Sequence, residues 1–364
     1  MSAVQANLVA SALRDPQALP GWSSAQWEGL LRQARSTNLL SRLAAVTADA
    51  GVFPEVPAAP RAHLEAARVL SQAHAEAVRR EVTHVQKALA GTGVDIILLK
   101  GAAYLYAGLA AARGRVFSDV DILVPHGALA AVEAALMRRG WATTHHDAYD
   151  QRYYRRWMHE LPPLQHAKRL TVLDVHHAIL PPTARLKPDS AKLWAASRPV
   201  PGVPPLRLFA PADMVLHSAA HLFFNEEFSH GLRDLTDIDS LLRHFGQQPG
   251  FWDGLADRAA KLELTRPLYY ALRYATQVLA TPVPPQALLA ARAGGPPGML
   301  GGLMDSLFRR VLQPDHPSTA DAMTPIAQRA LYVRAHWLRM PPLLLAYHLT
   351  VKALRPEEPQ PAAR

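Results

Sequence analysis

The stretch from Val94 to Val124, VDIILLKGAAYLYAGLAAARGRVFSDVDILV, constrains the fold more than any other part of the chain. It reads as strand, tight turn, helix, loop, strand. The apolar run Ile96 to Leu99 is short enough for a buried strand and stops at Lys100-Gly101, where a glycine lets the backbone turn sharply into a helix. The main-chain amides of Lys100, Gly101 and Ala102 at that turn suit a phosphate group. The following loop carries Arg113 and Arg115. Arg115, four residues before the next strand, is expected on an exposed loop at the mouth of a cleft. In Ser118 to Val124 the alternation puts Asp119 and Asp121 on one strand face and Val120 and Ile122 on the other. Two carboxylates sharing one strand edge ask for a cation, although taken alone a DxD strand reads more readily as a face shown to water.

A third acid recurs at strand-like alternation in Leu173-Asp174-Val175-His176. Asp174 is thereby a candidate to join Asp119 and Asp121 around a hard, oxygen-seeking ion such as Mg²⁺. His176, two residues on, shares its strand face and is a candidate for binding phosphate or assisting proton transfer. In order along the chain, LLKGAA, R-x-x-x-DVDILV, HELPPL and LDVHHAI resemble the uncharacterised nucleotidyltransferase family of the DNA polymerase beta-type nucleotidyltransferase superfamily. The resemblance runs from about Ile97 to about Leu279 and takes in HSAAH and LRDLTDI.

What the resemblance implies is a small mixed sheet in which Gly101 opens a phosphate-facing helix. It further implies that Asp119, Asp121 and Asp174 hold two ions, Mg²⁺ or Mn²⁺, and that Arg115 is the family's arginine. His176 falls where the family carries a site histidine, His159 and His166 match polar positions of the pattern, and Arg233 or Asp237 is a candidate to face the cleft. The implied reaction moves a nucleoside monophosphate from a nucleoside triphosphate to an acceptor, releasing pyrophosphate, with Asp174 and His176 as catalytic groups. The acceptor's nature is open. One departure stands out: Ala102 follows Gly101 where the wider superfamily usually has serine or glycine, which removes a hydroxyl contact to phosphate. A non-catalytic nucleotide-binding or regulatory protein on the same fold is therefore the alternative.

The 364 residues, 49% of them hydrophobic, suffice for about two domains with a sizeable core. Cysteine is absent, so no disulfide framework, thiolate metal site or cysteine nucleophile is available. No basic leader followed by an apolar run and no membrane span is legible, which points to the cytoplasm. The formal charge of +9 suits an anionic ligand. It is dispersed, without the basic and aromatic interleaving of a nucleic-acid platform, and this weighs against a third reading as a nucleic-acid-binding protein.

The fold class expected is α+β: a nucleotidyltransferase-like core over 92–200, an N-terminal helical segment over 1–91, a helical domain over 201–355 and a disordered tail over 356–364. In the N-terminal segment Val78, Val82, Val85 and Leu89 fall on one helix face, and no chemistry is read there. The proline-rich piece from Pro188 to Pro211 reads as a connector. Further on, Leu232, Leu235, Ile238 and Leu242 keep helical spacing, and Arg233 and Asp237, four apart, are expected to pair on that helix. His217 and His221 are also four apart, but HSAAH lacks the glutamate of a zinc protease, so a buttressing pair is expected. The last two helices mix arginine with Leu, Trp and Tyr, a pattern that packs internally or lies on an acidic membrane surface.

Overall fold

The computed structural model describes residues 7–145 and 147–354. The expected disordered tail, 356–364, lies outside the described residues. The chain is α+β, with one seven-stranded mixed sheet between helical N- and C-terminal parts. The strands are β1 (Ile96–Leu98), β2 (Asp119–Leu123), β3 (Trp141–Thr143), β4 (Leu164–His166), β5 (Val172–His176), β6 (Arg198–Pro199) and β7 (Leu206–Leu208), in the spatial order β3-β4-β5-β2-β1-β7-β6.

β1 is apolar and buried along its whole length because it is central, with β2 antiparallel on one side and β7 parallel on the other. β2 and β5 run parallel, in a register that sets Asp121 beside Asp174 and Asp119 beside Val172. The alternation then works as the sequence suggests: Val120, Ile122, Leu173 and Val175 go into the core while the acids share the opposite face. The segment read as a connector supplies β6 and β7, so the sheet extends past residue 200 and the proline-rich stretch is partly strand.

The helix Ala58–Leu89 buries Leu64, Ala67, Val78, Val82, Val85 and Leu89 and packs on β2. Its His74 Nδ1 meets the Phe117 carbonyl at 2.8 Å, which ties down the loop entering β2. On the other side of that loop, the helix Gly231–Phe245 buries Leu232, Leu235, Ile238 and Leu242 and lies against the turn Ala110–Ala112. The helix Pro211–Phe224 packs on both Gly231–Phe245 and Thr265–Leu279. Tyr104 and Ser218 join it to the helix Lys100–Tyr106 by a hydroxyl–hydroxyl hydrogen bond of 2.6 Å.

No helix among the described residues is long and apolar enough to cross a membrane. In the penultimate helix Thr324–Arg339, two arginines turn inward. Arg334 donates to the Phe223 carbonyl and lies over the Tyr270 and Phe308 rings, and Arg339 pairs with Glu226 at 2.9 Å.

Candidate active site

Parallel pairing of β2 with β5 brings together three carboxylates from two distant pieces of sequence. Asp119, Asp121 and Asp174 each present an oxygen within 4.8 Å of the others. Their environments differ. Asp121 is buried, a condition that raises a carboxyl group's pKa, yet the Lys100 ammonium at 3.1 Å and His176 Nε2 at 3.0 Å outweigh burial and hold it far below the usual carboxylate range. Asp174 has no such partner. Burial, then the charges of Asp121 and Glu160, push it up to about 7, and its Oδ1 is sealed from solvent without a hydrogen-bond partner. Asp119 is raised in the same direction by burial and by Asp121.

A cation fits this donor set. Three hard oxygen donors converge, negative charge exceeds the positive charge supplied by Lys100, and a buried carboxylate oxygen is left unpaired. Beside them opens a small, partly open cleft of about 70 Å³. Lys100, Gly101, Arg115, Asp119 and Asp121 line it together with Tyr104, Phe117, Ser218, His221, Arg233, Asp234 and Asp237.

Not every residue singled out in the sequence stands where expected. The residue in the left-handed region at the turn is Lys100 (φ 45°), not Gly101. Such a conformation costs a non-glycine residue about 1–3 kcal/mol, and the ion pair to Asp121 helps to hold it. Glycine is required at 101 for a different reason: a Cβ there would sit 2.7 Å from Arg115 Nε and 2.9 Å from Phe117 Cδ1. Ala102 is not in the cleft lining; its methyl group is buried in the core. Asp174 and His176 abut the cleft through Asp121 rather than lining it.

Arg115 corrects an expectation. Its side chain is largely buried, not on an exposed loop, and its Nη1 is ion-paired with Asp237. Asp237 also receives Arg42 Nη2 at 3.1 Å, and Arg42 in turn donates to the carbonyls of Ala110 and Ala111. Burial pulls Arg42 down to about 10 and lowers Arg115 as well. The expected Arg233–Asp237 pair is not made. Arg233 bonds its neighbour Asp234 at 3.0 Å, and Asp237 points the other way, toward the two guanidinium groups. Arg42 comes from the N-terminal helices, where no chemistry was read. Its only signal in the sequence was an arginine among the apolar residues of Leu40–Asp49, a helix buried on several sides.

The histidines divide into separate roles. His176 is buried between two acids, with Nε2 on Asp121 and Nδ1 3.2 Å from Glu160 Oε2. Burial would lower its pKa, but Glu160 and Asp121 carry it above the ordinary value. His166 caps the β4–β5 turn by accepting from the amides of Lys168 and Arg169, and sits edge-on to Trp141. His217 packs edge-on against Phe209 and is lowered by burial to about 3, and His221 reaches the cleft wall, also held well below the ordinary value by burial. In the helix Ala148–Trp157, Tyr153 stacks on His348 and Trp157 meets Tyr347 edge-on, both partners lying on the last helix.

No curated protein and no solved structure gives a significant match to the chain. A model of the uncharacterised nucleotidyltransferase family matches residues 23–280, so the similarity begins well before the β1 strand and includes the helix that carries Arg42. With more than half of its length matched, the chain belongs to the uncharacterised nucleotidyltransferase family.

Proposed function

We propose that this chain transfers a nucleoside monophosphate from a nucleoside triphosphate to an acceptor hydroxyl and releases pyrophosphate. The observation that carries the reading is the convergence of Asp119, Asp121 and Asp174 beside a cleft lined with cationic side chains. These three carboxylates would hold divalent cations, Mg²⁺ or Mn²⁺ and two in number. Ions of this kind, when bound, neutralise the triphosphate and make an acceptor hydroxyl more acidic.

The residues of the chain divide the remaining work. Lys100 and Arg115, both in the cleft lining, bind the triphosphate oxygens, and the absence of a side chain at Gly101 keeps Arg115 close to the turn. Asp237, itself held by Arg42, fixes the Arg115 guanidinium, so its orientation is set before ligand arrives. Lys100 and His176 keep Asp121 ionised and fixed. Asp174, beside Asp121 on the neighbouring strand, takes the acceptor's proton as the new oxygen–phosphorus bond forms at the α-phosphate. The bond to the bridging oxygen breaks, and pyrophosphate leaves with its electron pair. Asp234 and Arg233, at the helical wall of the cleft, face the acceptor side.

The test has two arms. Each of the four nucleoside triphosphates is added in turn with and without Mg²⁺, and the melting temperature is followed. A ligand that binds only the folded chain stabilises it by about 2.7 kcal/mol at a hundredfold excess over its dissociation constant, and this gain is expected only with the metal present. In the second arm, α-labelled triphosphate is added to lysate containing the native acceptor and label transfer is measured. Equal thermal shifts with and without metal would sink the metal assignment. Binding of one nucleotide without transfer of label from any would replace the enzyme with the non-catalytic reading.

A further inference from the structure

Beside the carboxylate cluster, joined to it through His176 and Asp121, lies a second group of donors with a different chemistry. A ring nitrogen of His159, a carboxylate oxygen of Glu160 and a ring nitrogen of His176 lie within 4.8 Å of one another. The backbone fixes them there. Glu160 forms a bridge with His176 beside β5, the Leu161 amide donates to the Val175 carbonyl at 2.9 Å, and the His177 amide donates to the His159 carbonyl at 2.8 Å. The Nδ1 of His159 is sealed from solvent and has no hydrogen-bond partner, an unpaired buried nitrogen that a ligand would satisfy. His176 Nδ1 and Glu160 Oε2 are 3.2 Å apart. Neighbouring ligands on one ion with bonds of about 2.1 Å are separated by roughly 3.0–3.4 Å, so this pair is already at ligand spacing.

The other nitrogen of His176 completes the pattern. Nε2 lies 3.0 Å from Asp121 Oδ1, and a metal-bound imidazole characteristically donates its second N–H to a carboxylate, which sets the tautomer and makes the ring a better ligand. We infer that His159, Glu160 and His176 form a second metal site, distinct from the three aspartates, which takes a first-row transition dication of the Zn²⁺ type. Two imidazoles and one carboxylate suit such an ion better than Mg²⁺, which prefers oxygen donors throughout. His176 would then belong to both sites: a ligand of the transition ion through Nδ1, and the hydrogen-bond donor that orients Asp121 through Nε2.

The experiment uses tag-free full-length chain stripped of metal, in excess Mg²⁺ and without nucleotide, so its result does not depend on whether the chain transfers anything. Zn²⁺ binding is measured by calorimetry, and the Zn²⁺-loaded wild type is examined by X-ray absorption. One equivalent with two imidazoles in its first shell is expected, and His159→Ala and Glu160→Gln should each weaken binding at least tenfold while Asp119→Asn leaves it within twofold. Failure of the wild type to bind at micromolar Zn²⁺ overturns the inference. An all-oxygen first shell, or a loss in Asp119→Asn as large as in Glu160→Gln, assigns the ion to the aspartates and overturns it too. The absorption measurement needs no variant and decides the matter if His159→Ala does not fold.

Discussion

Two groups of charge meet at this cleft, and they are built on opposite terms. Around Asp237, two guanidinium groups surround one buried carboxylate, and the main-chain carbonyls of Ala110 and Ala111 absorb the rest of the Arg42 donors. Around Asp174, three carboxylates and Glu160 face the single ammonium of Lys100 and the imidazole of His176, and one acid oxygen is left unpaired. A buried carboxylate that is fully paired, as Asp237 is, holds elements together, whereas one left with an unpaired oxygen, as Asp174 is, marks where something from solution has to complete it. The contrast separates a carboxylate that braces the cleft wall from one that awaits a ligand.

The largest expected effect tests the unpaired side. Asp174→Asn removes the excess charge and the proton acceptor while keeping size, so transfer should fall by about 10³-fold or more, roughly 4 kcal/mol in the transition state. Stability should move the other way. A carboxyl group whose folded pKa is raised, here to about 7 by burial and by Asp121 and Glu160, destabilises the fold as pH rises above its unfolded value near 3.8. The metal-free variant should therefore melt higher than wild type at pH 8, by about 2 °C for each kcal/mol relieved. A variant that melts lower, or transfers normally, breaks the comparison.

Next comes the paired side. Asp237→Ala strands Arg42 and Arg115 without their counter-charge, and unpairing a buried ion of this kind costs about 3–5 kcal/mol of stability. Thermal and urea unfolding should show the loss in the absence of any nucleotide or metal. A change under about 1 kcal/mol would mean that Asp237 is not the structural counter-ion described here.

The smallest effect sharpens the boundary between the two groups. Gly101→Ala adds a methyl group 2.7 Å from Arg115 Nε and forces that side chain and Phe117 to shift, so metal–triphosphate binding should weaken about tenfold, or roughly 1.4 kcal/mol. Arg113→Ala is the comparison. Arg113 is more than half exposed and pairs with the exposed Asp49, so its loss should change stability and binding by less than about 0.5 kcal/mol. If the two substitutions weaken binding alike, the buried position of Arg115 has no bearing on the ligand.

Much of the core was readable from pattern alone. The buried run Ile96–Leu98, the alternation Asp119-Val120-Asp121-Ile122 and the helical faces through Val78 to Leu89 and Leu232 to Leu242 each depend on local periodicity, and all appear in the structure. The turn at Lys100-Gly101 was located but its physics was misread, because which residue takes the left-handed conformation depends on the ion pair across to β2, and the need for glycine depends on side chains fourteen and sixteen positions away. The proline-rich stretch hid β6 and β7 because two- and three-residue strands are too short to show a period. The pairing of Arg233 with Asp237 looked favourable at four-residue spacing, but Asp237 is drawn to two buried guanidiniums that no local pattern connects to it.

By itself the sequence determined the chemistry available: three aspartates at strand alternation, a lysine and glycine at a turn, an arginine ahead of the DxD, histidines beside the third acid, and no cysteine. These follow from residue type and from periods of two and 3.6, which act over a few residues. Only the tertiary structure decided which charges are neutralised and which are left over. Asp121 and Asp174 became neighbours through parallel pairing across some fifty residues, Arg42 reached Asp237 across nearly two hundred, and Glu160 came to His176 through a bridge beside β5. Burial then gave those juxtapositions their energy, because a charge that water would screen on an extended chain must, inside the fold, find a counter-charge or draw one from solution.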